Sequence, residues 1–150
     1  MPNHALMGIY RETVFSPGQE REDTTIMDRA MEAMTLSGFQ ALTVLRAENI
    51  AIEGLHQKGP DGFLCSPACV LSMAQSNESL RLLEDLEKTG VRVINSVRSV
   101  RNCYRKPLIR SLLEAKVPLP RSRIMPVGEL MNEVSFRSAE QVWIKRADVH

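Results

Sequence analysis

Two lysines and their neighbours carry the chemistry that the sequence suggests first. Lys106 lies in the run Asn102-Cys103-Tyr104-Arg105-Lys106-Pro107-Leu108, and Lys145 lies in Gln141-Val142-Trp143-Ile144-Lys145-Arg146. An ammonium group is a strong point charge toward phosphate, and a guanidinium such as that of Arg105 adds planar donors. Basic groups placed this way read as a clamp for an anion, with nucleotide phosphates the leading candidate. In the last run Val142 and Ile144 alternate with Trp143 and Lys145, the pattern of a strand with two unlike faces. A lysine amid apolar strand residues is costly to bury unless it meets an anion. The alternative is a stem that packs while its head reaches water. Both readings stand at this level.

The elements that must position these groups come earlier. Ala5 to Tyr10 is a short apolar run that reads as a buried strand. Ser16-Pro17-Gly18 makes a turn, and Glu20, Glu22 and Asp23 open a helix whose positive end favours carboxylates. Ile26, Met27, Ala30, Met31 and Met34 keep helical spacing, and Gly38 is a natural stop. Leu42 to Leu45 reads as the second strand and Phe63 to Cys65 as a third, which runs through Ser66-Pro67-Ala68 into Val70–Met73. Ser76 or Asn77 can cap a helix with Leu80, Leu83 and Leu86 on one face, closed by Gly90, and Val91–Ile94 is a fourth strand. Strands alternating with helices imply an α/β fold, a Rossmann-like parallel sheet covered on both faces.

Such sheets meet ligands at the C-terminal ends of their strands. That places Arg11, Glu12, Arg46 and the Cys65–Ala68 loop at the ligand edge, with Arg11 and Ser16 the candidate substrate contacts. Ordinary loop roles are the alternative for each. No glycine-rich dinucleotide fingerprint is present.

After Ser96 the character changes. Ser96 caps a short helix using Val97, Val100 and Tyr104, and Pro107 suits the first turn of another, with Leu108, Leu112 and Leu113 facing inward. Arg105 and Lys106 then lie at a helix-to-helix joint. Val117-Pro118-Leu119-Pro120 ends that helix and leads into an extended piece, Ser122–Met125. A further amphipathic helix with Leu130, Met131 and Val134 precedes the last strand. Charge divides along the same line. Residues 1–90 hold 7 Lys/Arg against 13 Asp/Glu, and residues 91–150 hold 12 against 5. The basic second half attracts anions. An aromatic content of 5%, without interleaving among the basic residues, argues against single-stranded nucleic acid as partner.

The runs Gly90-Val91-Arg92-Val93-Ile94-Asn95-Ser96, Asn102–Lys106, Leu112-Leu113 and Val117–Pro120, in that order, resemble the start of an ATP-grasp domain. Ribosomal-protein glutamate ligases, glutathione synthetases and D-alanine–D-alanine ligases share the pattern. The resemblance implies a pre-ATP-grasp Rossmann-like domain over residues 1–96, then the N-terminal part of an α+β ATP-grasp lobe over 97–150. It implies Lys106 as the first nucleotide-binding lysine, Lys145 as the second, and Trp143 flanking the nucleotide on the same strand face. Arg105 stands where the family has Asp, so Arg105 becomes a phosphate contact itself. Lys116 replaces the usual Gly before Val-Pro, so that helix is expected to end differently. ATP and Mg²⁺ are the implied cofactors, and a small-molecule or peptide carboxylate the implied substrate.

The family's glycine-rich loop, adenine hinge and late Mg²⁺ ligands do not follow Lys145. One jaw of the grasp, a truncated lobe inactive alone, is therefore expected, with self-association through apolar surface left exposed. The alternative function is a non-catalytic Rossmann-like module whose basic segment docks an anionic partner. Three cysteines, an odd count, are expected as reduced, mostly buried thiols, and Cys65 and Cys69 lack the second ligand pair that zinc needs. Absence of a signal peptide and of any spanning apolar run makes the cytoplasm the expected compartment.

Overall fold

A computed structural model describes residues 5–50, 57–58, 64–130 and 142–145. The chain forms two compact units, residues 1–100 and 101–150. The first is a Rossmann-like α/β unit. Its elements are β1 (Ala5–Tyr10), α1 (Glu20–Leu36), β2 (Gln40–Arg46), a two-stranded hairpin of β3 (Gln57–Lys58) and β4 (Leu64–Cys65), β5 (Cys69–Ser72), α2 (Asn77–Lys88), β6 (Arg92–Ile94) and the start of α3 (Val97–Asn102).

The main sheet has the order β2-β1-β5-β6 and is parallel throughout. β1 is central: Gly8 pairs with Val44 on one side and Leu71 on the other. Residues Ala5 to Ile9 are all buried, which suits a strand with neighbours on both edges and both faces. The third strand of the sheet is β5, not the expected Phe63–Cys65 run. Leu64–Cys65 pairs antiparallel with Gln57–Lys58 instead. Pro67 explains the shift, because it cannot donate to a ladder and so separates the two apolar runs.

The α1 register follows from close approach. A Cβ built on Gly8 would lie 3.0 Å from Val44 Cγ1, 3.1 Å from Met31 Sδ and 3.2 Å from Met27 Sδ. A glycine in mid-strand therefore lets the helix settle on the sheet. Met27 and Met31 are buried there with Leu6 and Cys69, flanked by Met34, Phe39 and Val44. Ile26, expected on the inward face, is 59% exposed, because α1 turns its i, i+4 methionine row to the sheet and leaves position 26 outside it. Gly38 takes φ +95° and completes the helix end, with Phe39 N–H donating to Met34 O and Gly38 N–H to Thr35 O.

α2 starts as the sequence indicates. The Ser76 hydroxyl accepts from Ser79 N–H at 3.0 Å, while Leu80, Leu83 and Leu86 are buried. Each fully buried leucine of this kind stabilises by about 1.5–3 kcal/mol. After β6, Asn95 adopts φ +60° and its side-chain amide donates to Ser72 O at 2.8 Å, tying the end of β6 to the end of β5. Asparagine tolerates the left-handed region, so the residue serves the turn and the tie together.

The second unit holds the end of α3, α4 (Arg105–Glu114) and α5 (Val127–Leu130) among its described residues. Pro107 falls in the first turn of α4 as expected, but the helix begins at Arg105, with Tyr104 as its N-cap. Of the three leucines expected to face inward, Leu112 is half-buried, while Leu108 and Leu113 are 41% and 58% exposed. Lys116 corrects another expectation. It takes φ +54°, with Lys116 N–H donating to Leu113 O and Val117 N–H to Leu112 O. This is the termination that glycine usually makes, performed by lysine.

Val142 to Lys145 carry no regular secondary structure and are exposed, so the expected last strand is not observed over the described residues. No ladder partner among the described residues holds that run in an extended register, and alternation alone does not make a strand. Met131, Val134, Gln141 and Arg146 lie outside the described residues. Cys69 is buried as expected, but Cys103 is an exposed free thiol near the end of α3. No helix among the described residues is long and apolar enough to cross a membrane.

Candidate functional site

Strand order in the main sheet reverses between β1 and β5, and the loops that leave their C-terminal ends define a switch point. Glu12 fills it. Only 2% exposed, its carboxylate accepts from Gln75 N–H and Ser76 N–H, both at 2.9 Å, one on each oxygen. The protein's own anion thus sits at the approach to α2, where a parallel sheet commonly receives one.

Beside it, at the ends of β1 and β2, is a cleft of ≈ 200 Å³ counted with its open solvent, lined by Tyr10, Arg11, Ser16, Glu20, Asp23 and Arg46 among others. Arg11 Nη1 lies 3.3 Å from Asp23 Oδ2, and the Ser16 hydroxyl donates to that same oxygen. The two candidate substrate contacts are therefore brought together, on a carboxylate from the first turns of α1. Arg11 Nε is buried without a partner among the described residues. Arg46 lies over the Tyr10 ring at 5.8 Å from its centroid and makes no ion pair among the described residues. A stacked guanidinium of this kind gains about 0.5–1 kcal/mol at an exposed site.

The Tyr10 hydroxyl donates to Asp28 Oδ1 at 2.5 Å. That hydrogen bond, then burial, then the Asp28 charge raise the phenol above its ordinary value of 10.0, while Arg46 pulls it down. The neutral phenol is thus favoured by folding. Its stabilisation is complete below pH 10 and is lost as pH rises through the folded value. An absorbance titration is expected to show a late-ionising tyrosine, and Tyr10→Phe to remove that late phase. Loss of an early phase in the variant, with the late one kept, would refute the Asp28 bond. At Glu48, burial raises the carboxyl, but donors from Thr13 N–H, its own N–H and the Thr13 hydroxyl, with Arg46, outweigh it and the net shift is downward.

The nucleotide candidates lie in the second unit. Arg105 is the first residue of α4 and half-buried, and Lys106 is the second and exposed. Lys145 Nζ lies 6.0 Å from the Trp143 ring centroid, and Trp143 is 85% exposed. Lys106 and Lys145 share no partner among the described residues. The donor set suits phosphate oxygens in type, one guanidinium and two ammonium groups. No cluster of three or more His, Cys, Asp or Glu arranged for a metal occurs among the described residues.

No protein-family model, curated protein or solved structure matches the chain.

Sequence reasoning placed Glu12 at the ligand edge but missed that it serves as an internal acceptor, and it missed Glu48 and Ser79. The Ser76-x-x-Ser79 spacing was the one available signal. Partners 35 and 64 residues apart leave no local pattern.

Proposed function

We propose that this chain forms the front of an ATP-dependent carboxylate–amine ligase of the ATP-grasp type. The observation that supports it is the succession at the end of the parallel sheet. β6 closes on the Asn95–Ser96 turn, α3 follows at once, and α4 then presents Lys106 in its first turn, where helix N–H groups favour phosphate. Arg105, Lys106 and Lys145 would hold the nucleotide phosphates, with Trp143 against the nucleotide. When bound, ATP would supply the γ-phosphoryl group that turns a carboxylate into an acyl-phosphate, releasing ADP, and an amine attacking the acyl carbon would expel inorganic phosphate to give the amide. Mg²⁺ is proposed to enter with the nucleotide. In this chain the lysines hold and orient anionic oxygens, which is the larger part of catalysis in phosphoryl transfer.

The carboxylate substrate is proposed to approach the cleft in the first unit, on the strength of its two arginines, Arg11 and Arg46. Arg11 and Ser16 are engaged by Asp23, so Arg46 is the cleft cation without an ion pair among the described residues. The reading places the chain in the cytoplasm, where ATP and Mg²⁺ are at hand. Exposed Leu113, Val117 and Val127 favour self-association.

Calorimetry with Mg-ATP is expected to give a binding heat that falls at least about tenfold in affinity in Lys145→Ala and in Lys106→Ala, with the circular dichroism unchanged. No heat with the native chain sinks the nucleotide assignment. The second reading, a non-catalytic module for an anionic partner, is favoured by exposed Arg110, Lys116, Arg121 and Arg123 in the same unit. Polyanion binding that weakens steeply with salt and ignores Mg²⁺ would select it.

A further inference from the structure

The polar contacts at the C-terminal edge of the sheet close on themselves. Glu12 accepts from Gln75 N–H and Ser76 N–H. The Ser76 hydroxyl accepts from Ser79 N–H at 3.0 Å and donates to the Ser79 hydroxyl at 2.8 Å. The Ser79 hydroxyl donates to Ala47 O at 3.2 Å. The next residue, Glu48, accepts from Thr13 N–H at 2.6 Å and from the Thr13 hydroxyl at 2.8 Å. Thr13 follows Glu12, and the circuit is complete. It joins the connections that leave β1, β2 and β5, the three strands around the switch point.

Arg11 immediately precedes Glu12, and Arg46 immediately precedes Ala47. Both arginines of the cleft are therefore mounted on arms of the circuit. We propose that this circuit is a clasp which makes the three connections open as one unit, and that Glu12 and Glu48 are positioning residues for the cleft arginines. Hydrogen bonds in series depend on one another: releasing one acceptor frees the loop that presents the next donor. Ser76 is the shared joint, since it takes the Glu12 carboxylate on its N–H and Ser79 on its hydroxyl. The inference goes beyond the ligase reading and does not depend on it. Failure of ATP to bind the second unit would leave it untouched.

Native-state hydrogen exchange on the full chain tests it at residue resolution. Glu48→Gln is expected to speed exchange about tenfold at Gln75 and Ser76, which it does not touch, as well as at Thr13. Glu12→Gln is expected to speed exchange at Thr13 in return. The Nε–H resonances of Arg11 and Arg46 should shift together in either variant, with α1 amides around Met27 and Met31 unchanged. Two results overturn the clasp: each substitution affecting only its own donors, or acceleration by one common factor across α1 and β1, which is global destabilisation. Glu48 is exposed, so its variant is expected to fold and carries the test should Glu12→Gln not fold.

Discussion

Replacing Gly8 with valine is expected to destabilise the first unit by more than about 3 kcal/mol, and replacing it with alanine by about 1–3 kcal/mol. The argument is steric. Gly8 has no unusual backbone angle among the positive-φ glycines, so its role is space. An added Cβ would meet Val44 Cγ1 at 3.0 Å, with two methionine sulfurs behind it at 3.1 and 3.2 Å. Methionines yield more readily than most side chains, and alanine is therefore the milder change. Val44 belongs to the neighbouring strand, directly opposite Gly8, and yields less. Removing a glycine from a strand otherwise gains about 0.5–1 kcal/mol, so the sign of the alanine variant is informative. Urea unfolding followed by circular dichroism measures both. An alanine variant as stable as the native chain would mean that α1 does not rest on β1 at this point.

Glu12→Ala is the other large loss, about 2–5 kcal/mol. Two N–H groups at the start of α2 lose their acceptor, and Glu12 and Gln75 are both buried, so water cannot replace it freely. Each orphaned buried donor costs about 1–3 kcal/mol, and hydrogen bonds to a charged acceptor lie at the upper end. Glu12→Gln keeps one good acceptor and should lose roughly half as much. The comparison in urea separates charge from shape: equal losses in the two variants would show that the carboxylate charge matters, and no loss in either would refute the buried bidentate contact.

Much of the fold could be read from local pattern because its signals are local. Ala5–Tyr10 is a continuous apolar run between polar flanks, α1 has carboxylates at its start and Gly38 at its end, and α2 has Ser76 and Gly90 as its limits. The third strand was misplaced because β5, a short buried run without alternation, resembles the Phe63–Cys65 run, and only long-range pairing with β1 distinguishes them. Lys116 shows the converse. A helix end that glycine favours can be made by lysine when two backbone hydrogen bonds complete it. At the candidate site, Arg11 and Ser16 were identified as neighbours of the ligand edge, but Asp23, which holds both, lies in a helix start whose carboxylates already had a sufficient reason in the dipole. The pairing Glu48–Thr13 spans two loops and has no sequence period at all.

The central place of β1 also sets an order of assembly. Its pairing with β2 needs only residues 5–46, a single β-α-β unit joined by a helix that forms locally. Its pairing with β5 waits for Cys69–Ser72, some sixty residues later in the chain, and must close a far longer loop. The entropy of that closure grows only slowly with length, but contacts of large sequence separation slow folding. During synthesis one edge of β1 is therefore bare until residue 72 has emerged, while Leu6, Met7 and Ile9 are already committed to a core whose second half is still being made.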